Sequence, residues 1–160
     1  MNPLLTIFII GIGATAVMDV WSIVRKHLLG IPHPNYALVG RWIAYMSYGK
    51  FHHKAITASA PVRAEHLIGW TAHYLIGIGF AAVLIGIGGN SWTENPTIGL
   101  ALAVGMATVA APFLLMQPGM GAGIAAAKTS KPNSARLQSL ITHAVFGLGL
   151  YMSALVLSLV

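Results

Sequence analysis

The chain has 160 residues, 56% of them hydrophobic and 8% charged, with 9 Lys and Arg against 3 Asp and Glu for a formal net charge of +6. A soluble domain carries roughly 25% charged residues, so this composition cannot furnish a water-facing surface, and it excludes an ordinary soluble enzyme, a disordered segment and a nucleic-acid-binding module. The absence of Cys removes disulfides, thiolate metal sites and cysteine nucleophiles.

Crossing a bilayer takes about 20 apolar residues, and four stretches qualify. The first runs from Leu4 to Val24 and cannot continue through Ile31-Pro32-His33-Pro34, because each proline disfavours helix in the residue before it. Ala14-Thr15-Ala16 matches a small-residue cleavage pattern, yet no Lys or Arg precedes the apolar run as a signal peptide requires. After it, Tyr36 to Lys50 mixes aromatic, aliphatic and basic residues, with Trp42, Tyr45, Met46 and Gly49 on one face. That pattern predicts a short amphipathic helix on the membrane surface. The second span is His66 to Gly88, the third Ile98 to Met116 and the fourth Leu137 to Val160. No stretch alternates as a membrane β-strand does. The expected fold is all-α, a single four-helix transmembrane domain over residues 1–160 with an interfacial helix in the first inner loop.

Charge sets the expected orientation. Arg25, Lys26, Arg41, Lys50, Lys54 and Arg63 fall between the first and second spans, and Lys128, Lys131 and Arg136 between the third and fourth. Gly89 to Pro96 holds Glu94 and no cation. By the positive-inside rule both inner loops face the cytoplasm and both termini lie on the outer side. Trp92 in the outer loop, and Trp42, Tyr45 and Tyr48 in the inner one, suit the interfaces as aromatic anchors.

Five sequence words can be taken together: Ala14-Thr15-Ala16-Val17-Met18-Asp19-Val20-Trp21, Gly40-Arg41-Trp42, Glu65 through Tyr74, Gln117-Pro118-Gly119-Met120-Gly121 and His143-Ala144-Val145-Phe146-Gly147. They resemble a family of small bacterial integral membrane proteins known as a domain of unknown function. The resemblance covers nearly the whole chain and implies a bacterial inner-membrane location and a single domain. It implies no activity, substrate or cofactor, so chemistry has to be read from the residues.

An ionisable side chain inside a span is costly and points to function by default. At about 1.5 Å rise per residue, Asp19 lies about 9 Å before Arg25, His73 about 15 Å beyond Arg63 and His143 about 10 Å beyond Arg136. With Glu65 and His66 near the inner boundary and Gln117 closing the third span, every helix brings a polar group to the inner half of the bilayer. His66, Gly69, Trp70, His73 and Gly77 share one stripe of the second helix, and His143, Gly147 and Tyr151 one of the fourth. The expectation is a ligand or proton pocket lined by Asp19, His66, His73, Gln117 and His143. Against it stands the plainer reading that Asp19 pairs with Arg25, His27 or a histidine, and that His73 and His143 are interhelical hydrogen bonders.

Other chemistry is less well served. A zinc site needs about three close ligands, and only His73, His143 and Asp19 on different helices could supply them. A b-type haem would take His73 with His143 as its axial pair. The metal and the cofactor stay unknown. Gly119, Gly121 and Gly123 could line an anion nest beside Lys128, although no Gly-Lys-Ser/Thr ends that stretch. The methionines, spread over several helices, read as core filler. The expected function is binding or moving a small molecule, ion or proton. A membrane-embedded enzyme using the same groups, or a structural membrane protein that needs only its helix seams, are the alternatives. The partners implied are the lipid bilayer, an unknown small ligand and, through those seams, a second copy of the chain; nucleic acid is not among them.

Overall fold

Asn2 opens the first helix by accepting the Leu4 N–H at 2.9 Å, with Pro3 in the first turn, where a missing N–H costs nothing. The computed structural model describes residues 2–159; Met1 and Val160, the last residue of the expected fourth span, lie outside the described residues. Helix α1 (Pro3–Leu29) continues past Val24 until Gly30, whose left-handed backbone (φ 64°) turns its N–H back to the Lys26 carbonyl. Asn35 likewise caps α2 (Tyr36–Met46). This helix stops short of the expected Lys50, because Ser47, Tyr48 and Gly49 fold back on Ala44, Tyr45 and Met46 and Gly49 takes φ 73°.

The second apolar stretch forms α3 (Glu65–Glu94). Its expected end at Gly88 is marked by a break at Gly89 (φ 69°), but helical turns resume beyond it. Trp92 is therefore no interface anchor in a loop. It sits on those last turns, 5% exposed, with its indole N–H on Thr97. Helix α4 (Ile98–Met120) is regular to Ala107 and then widens into a π-type turn over Pro112–Met116. Pro112 has no N–H to give the carbonyl of Thr108, which opens the ladder there. The chain passes Pro118 in helical form and breaks at Gly121 (φ 95°), beyond the expected Met116. Helix α5 (Pro132–Ser158) starts well before the expected Leu137, with proline again at its opening.

The chain divides into two compact units. The first holds residues 2–33, 74–108 and 141–159, with a core of Ile10 and Ala14 from α1, Ala81, Leu84 and Ile85 from α3, Ala101 and Val104 from α4, and Phe146, Leu150 and Ala154 from α5. Glycine lets these backbones touch. A methyl group on Gly11 would meet the Ile78 nitrogen at 2.9 Å, one on Gly149 the Ala14 Cα at 2.9 Å, and one on Gly147 the Leu102 Cα at 3.0 Å. The second unit holds residues 34–73 and 109–140. There α2 crosses the start of α3 at Gly40 and Gly69, where a methyl on either would strike the other helix's backbone.

Among the described residues four helices are long and apolar enough to cross a membrane, and only 22–28% of each apolar window is buried within the chain. Leu4, Leu28, Leu67, Leu115 and Val156 are all more than half exposed. So much bare hydrocarbon needs lipid around it, and the protein is a multi-pass membrane protein of four apolar helices.

Gly11→Ala and Gly147→Ala should each destabilise the first unit by about 1–3 kcal/mol, the usual cost of overpacking. Gly79→Ala, where no atom lies within 4 Å of the added methyl, should leave the protein as stable or slightly more so. Thermal melts in detergent check both; equal effects at the three positions would contradict the seam.

Candidate functional site

In the first unit a polar row descends α1. Thr15 donates to the Gly11 carbonyl at 2.8 Å, and one turn on, Asp19 accepts the Tyr74 phenol at 2.9 Å. Ser22 shares a 2.8 Å hydrogen bond with His33 Nδ1, and the Arg25 guanidinium, 6% exposed, reaches Thr142 Oγ1 at 3.4 Å. The spacing of Thr15, Asp19, Ser22 and Arg25, three or four residues apart, puts all of them on one side of the helix.

His143, also in the first unit, bonds through Nδ1 to Thr108 Oγ1 at 2.8 Å, while that hydroxyl lies 2.6 Å from the Gly105 carbonyl. Thr108 has one proton, and the short bond to Gly105 takes it. The threonine must then accept from His143 Nδ1–H, which leaves Nε2 as the ring's bare lone pair. Thr108 sits where Pro112 opens the helix, so the irregular turn and the histidine's anchor share one place in the chain.

The second unit carries the other three expected residues. His66 Nε2 accepts the Trp70 indole N–H at 3.3 Å, and Trp70 meets His73 edge-on with ring centroids 5.9 Å apart. The expected stripe of His66, Trp70 and His73 is thus a continuous ring contact. His73 stacks on Tyr36 at 4.3 Å and shares a 3.0 Å hydrogen bond with its hydroxyl. Gln117 is half-buried, and its Oε1 has no hydrogen-bond partner among the described residues. The five residues therefore fall in two units, Asp19 and His143 in one and His66, His73 and Gln117 in the other. Among the described residues no three His, Asp or Glu side chains gather closely enough to hold a metal ion.

Of the glycines expected in an anion nest, Gly121 spends its N–H on the Pro118 carbonyl and Gly119 gives its carbonyl to the His53 N–H at 2.8 Å. Both shape the turn. Trp42 lies against Gly119, where a methyl would come within 2.6 Å of the indole nitrogen.

One centre was not legible as such from the sequence. Arg41, where charge alone signals an inner loop, holds Glu65 in a two-pronged ion pair, Nε to Oε2 at 2.7 Å and Nη2 to Oε1 at 2.8 Å. Its third nitrogen donates to the Ser59 carbonyl at 2.8 Å and reaches that of Ile56 at 3.4 Å, while Glu65 Oε2 also accepts the Val62 N–H. Arginine's planar fork suits such a site and lysine's point charge does not. The hydrogen bond to Glu65 raises the Arg41 pKa further, against the opposing effect of burial. The signal was present in the words Gly40-Arg41-Trp42 and Glu65-His66: each glycine crossing is followed or preceded by one member of the pair.

With this geometry in hand, the comparison with known families is decisive at the family level. A family described as "Protein of unknown function (DUF2938)" has a model that matches residues 8–157. The chain belongs to that family. The match takes in α1 from Phe8, both cation-bearing connections and nearly all of α5, and so all of the second unit and most of the first. No curated protein and no solved structure matches the chain.

His53 makes the protein's stability depend on pH. It is 7% exposed, and burial first, then the Lys50 charge, lowers its pKa from the ordinary 6.5, with the Lys50 carbonyl opposing. A depressed histidine adds stability that is present above its unfolded value and lost as the pH falls below it. The melting midpoint should fall between pH 7.5 and pH 5.0, and fall less in His53→Gln; an identical fall in the two proteins would assign the effect elsewhere.

Proposed function

We propose that this protein is a bacterial inner-membrane protein that binds or moves a proton, ion or small polar molecule through ionisable groups inside its spans. The observation that carries the reading is the Asp19 carboxylate, held in α1 by the Tyr74 phenol at 2.9 Å. A carboxylate in an apolar helix is expensive, and such residues mark proton or ion paths when they are retained. His143 supports it with an unprotonated Nε2 inside α5. Among possible cargoes the proton fits best, because Asp, His and Tyr all exchange it directly and none of them needs a metal to do so.

In this reading Asp19 is the charge and proton partner, and His143 an acid/base group of the first unit. His66 and His73 are the corresponding acid/base groups of the second, with Gln117 an orienting hydrogen bonder beside the wide turn of α4. Such π-type turns recur at functional sites. The charge asymmetry of the loops adds the orientation: cationic loops inside, both termini outside.

Purified protein in liposomes loaded with a pH-sensitive dye should dissipate an imposed pH gradient faster than empty liposomes. Asp19→Asn should lower that rate at least tenfold, and Tyr74→Phe should lower it less. Wild-type rates equal to those of empty liposomes, or an Asp19→Asn protein as fast as wild type, would leave a structural role for the helix seams. For the orientation, a periplasm-dependent reporter fused to the C-terminus should be active and a cytoplasm-dependent one silent; the reverse would invert the assignment.

A further inference from the structure

An open depression of about 590 Å³ lies within the second unit, walled by His53, Lys54 and Lys128, with Gly121, Gly123 and Ile124 along its floor and rim. Two chain segments build it. The His53 N–H donates to the Gly119 carbonyl at 2.8 Å and ties them together. Gly121 then lies directly against the Lys54 carbonyl, and a methyl on Gly123 would meet Lys128 Cγ at 2.9 Å. Only glycine fits at these two positions, since each also has a left-handed backbone, φ 95° and 75°. Their absence of side chains brings one lysine from each segment to the same hollow.

His53 supplies the decisive group. Its ring is more than nine-tenths buried, Nδ1 is engaged by Ser59 Oγ at 2.8 Å, and Nε2 is buried with no hydrogen-bond partner among the described residues. Buried polar atoms are nearly always paired, so an orphan nitrogen in a residue that lines an open depression points to a ligand atom. In the tautomer in which the Ser59 hydroxyl donates to Nδ1, Nε2 carries the proton and calls for an acceptor. The two lysines that line the same depression repel a cation and attract an anion. The loop that carries Lys128 also holds Ala125 and Ala126 at φ 47° and 59°, a conformation alanine adopts only when its surroundings impose it. Arg136 Nε clamps it by donating to the Ala125 carbonyl at 2.8 Å.

We propose that this depression binds a phosphate group, with His53 Nε2–H as its buried hydrogen-bond donor and Lys54 and Lys128 as its counter-charges. The site belongs to the second unit and Asp19 and His143 to the first, and nothing in the proton reading requires it. The same phosphate chemistry is offered by a soluble phosphate ester and by a lipid headgroup, and Ile124, 63% exposed at the rim, gives an acyl chain an apolar neighbour.

Isothermal titration calorimetry on the full chain in uncharged maltoside micelles separates the two sources. One arm titrates inorganic phosphate and the other a short-chain phosphatidate. Saturable one-site binding is expected in at least one arm. Saturation by inorganic phosphate assigns a soluble ligand, and saturation by phosphatidate alone assigns a lipid headgroup. Lys54→Gln with Lys128→Gln should weaken binding at least tenfold. The pair Lys26→Gln with Lys131→Gln removes the same charge outside the depression and should change it less than twofold. His53→Gln, which keeps an amide donor, should bind more tightly than His53→Leu. No saturable binding in either arm, or equal loss in the two lysine pairs, overturns the proposal.

Discussion

Backbone touching backbone at glycine is the constraint from which the rest of this structure follows. Lipid tails are as apolar as leucine, so helices in a bilayer gain little by hiding hydrophobic side chains from one another. What holds them is close packing, and here it is reached where Gly11 meets the Gly77–Ile78 backbone, Gly149 meets Ala14 and Gly105 meets Gly147. Within the second unit Gly40 and Gly69 do the same for α2 and the start of α3. Large side chains are thereby pushed outward, which explains why so much Leu, Ile and Val is left for lipid.

The close crossings also decide where polar groups can be afforded. Thr15 faces Gly77, and Asp19 follows it one turn along α1 with Tyr74 within reach; His143 lies one turn before Gly147, opposite the stretch of α4 that holds Gly105 and Thr108. In the second unit Arg41 and Glu65 flank the Gly40–Gly69 crossing. A hydrogen bond between spans contributes only about 0.6–2 kcal/mol. Packing at the glycines therefore fixes the geometry, and the polar pairs occupy positions it already defines. That order of causes lets an ionisable group remain in a span without being the element that holds the span in place.

Much of this could be read from residue types. Length and apolarity gave the number of spans but not their ends, since Gly30 and Gly121 close α1 and α4 beyond the expected Val24 and Met116. The wide turn in α4 was not anticipated, because Pro112 sits inside an apolar run where hydropathy alone shows no interruption. Trp92 was misplaced for a related reason: Gly88-Gly89 looks like the start of a loop, yet the helix bends there and continues, carrying the indole into the core. Ionisable residues in the spans were conspicuous, whereas their partners were not. Tyr74, Tyr36 and Thr108 are ordinary residues until a three-dimensional arrangement sets them beside Asp19, His73 and His143. Arg41 was hidden by its own charge, since a cation between two apolar stretches already has an explanation in topology.

The seam between α1 and α5 is open to a direct measurement, because the chain has no cysteine of its own. A Cβ on Gly13 would lie 3.1 Å from that of Ser153, close to the 3.5–4.5 Å of a disulfide. Gly13→Cys combined with Ser153→Cys, oxidised in native membranes, should form the crosslink in nearly all molecules. Gly86→Cys combined with Ser153→Cys should form none, since nothing lies within 4 Å of a Cβ at Gly86. Failure of the first pair to crosslink, or crosslinking of both pairs alike, would contradict backbone contact at glycine as the basis of the fold.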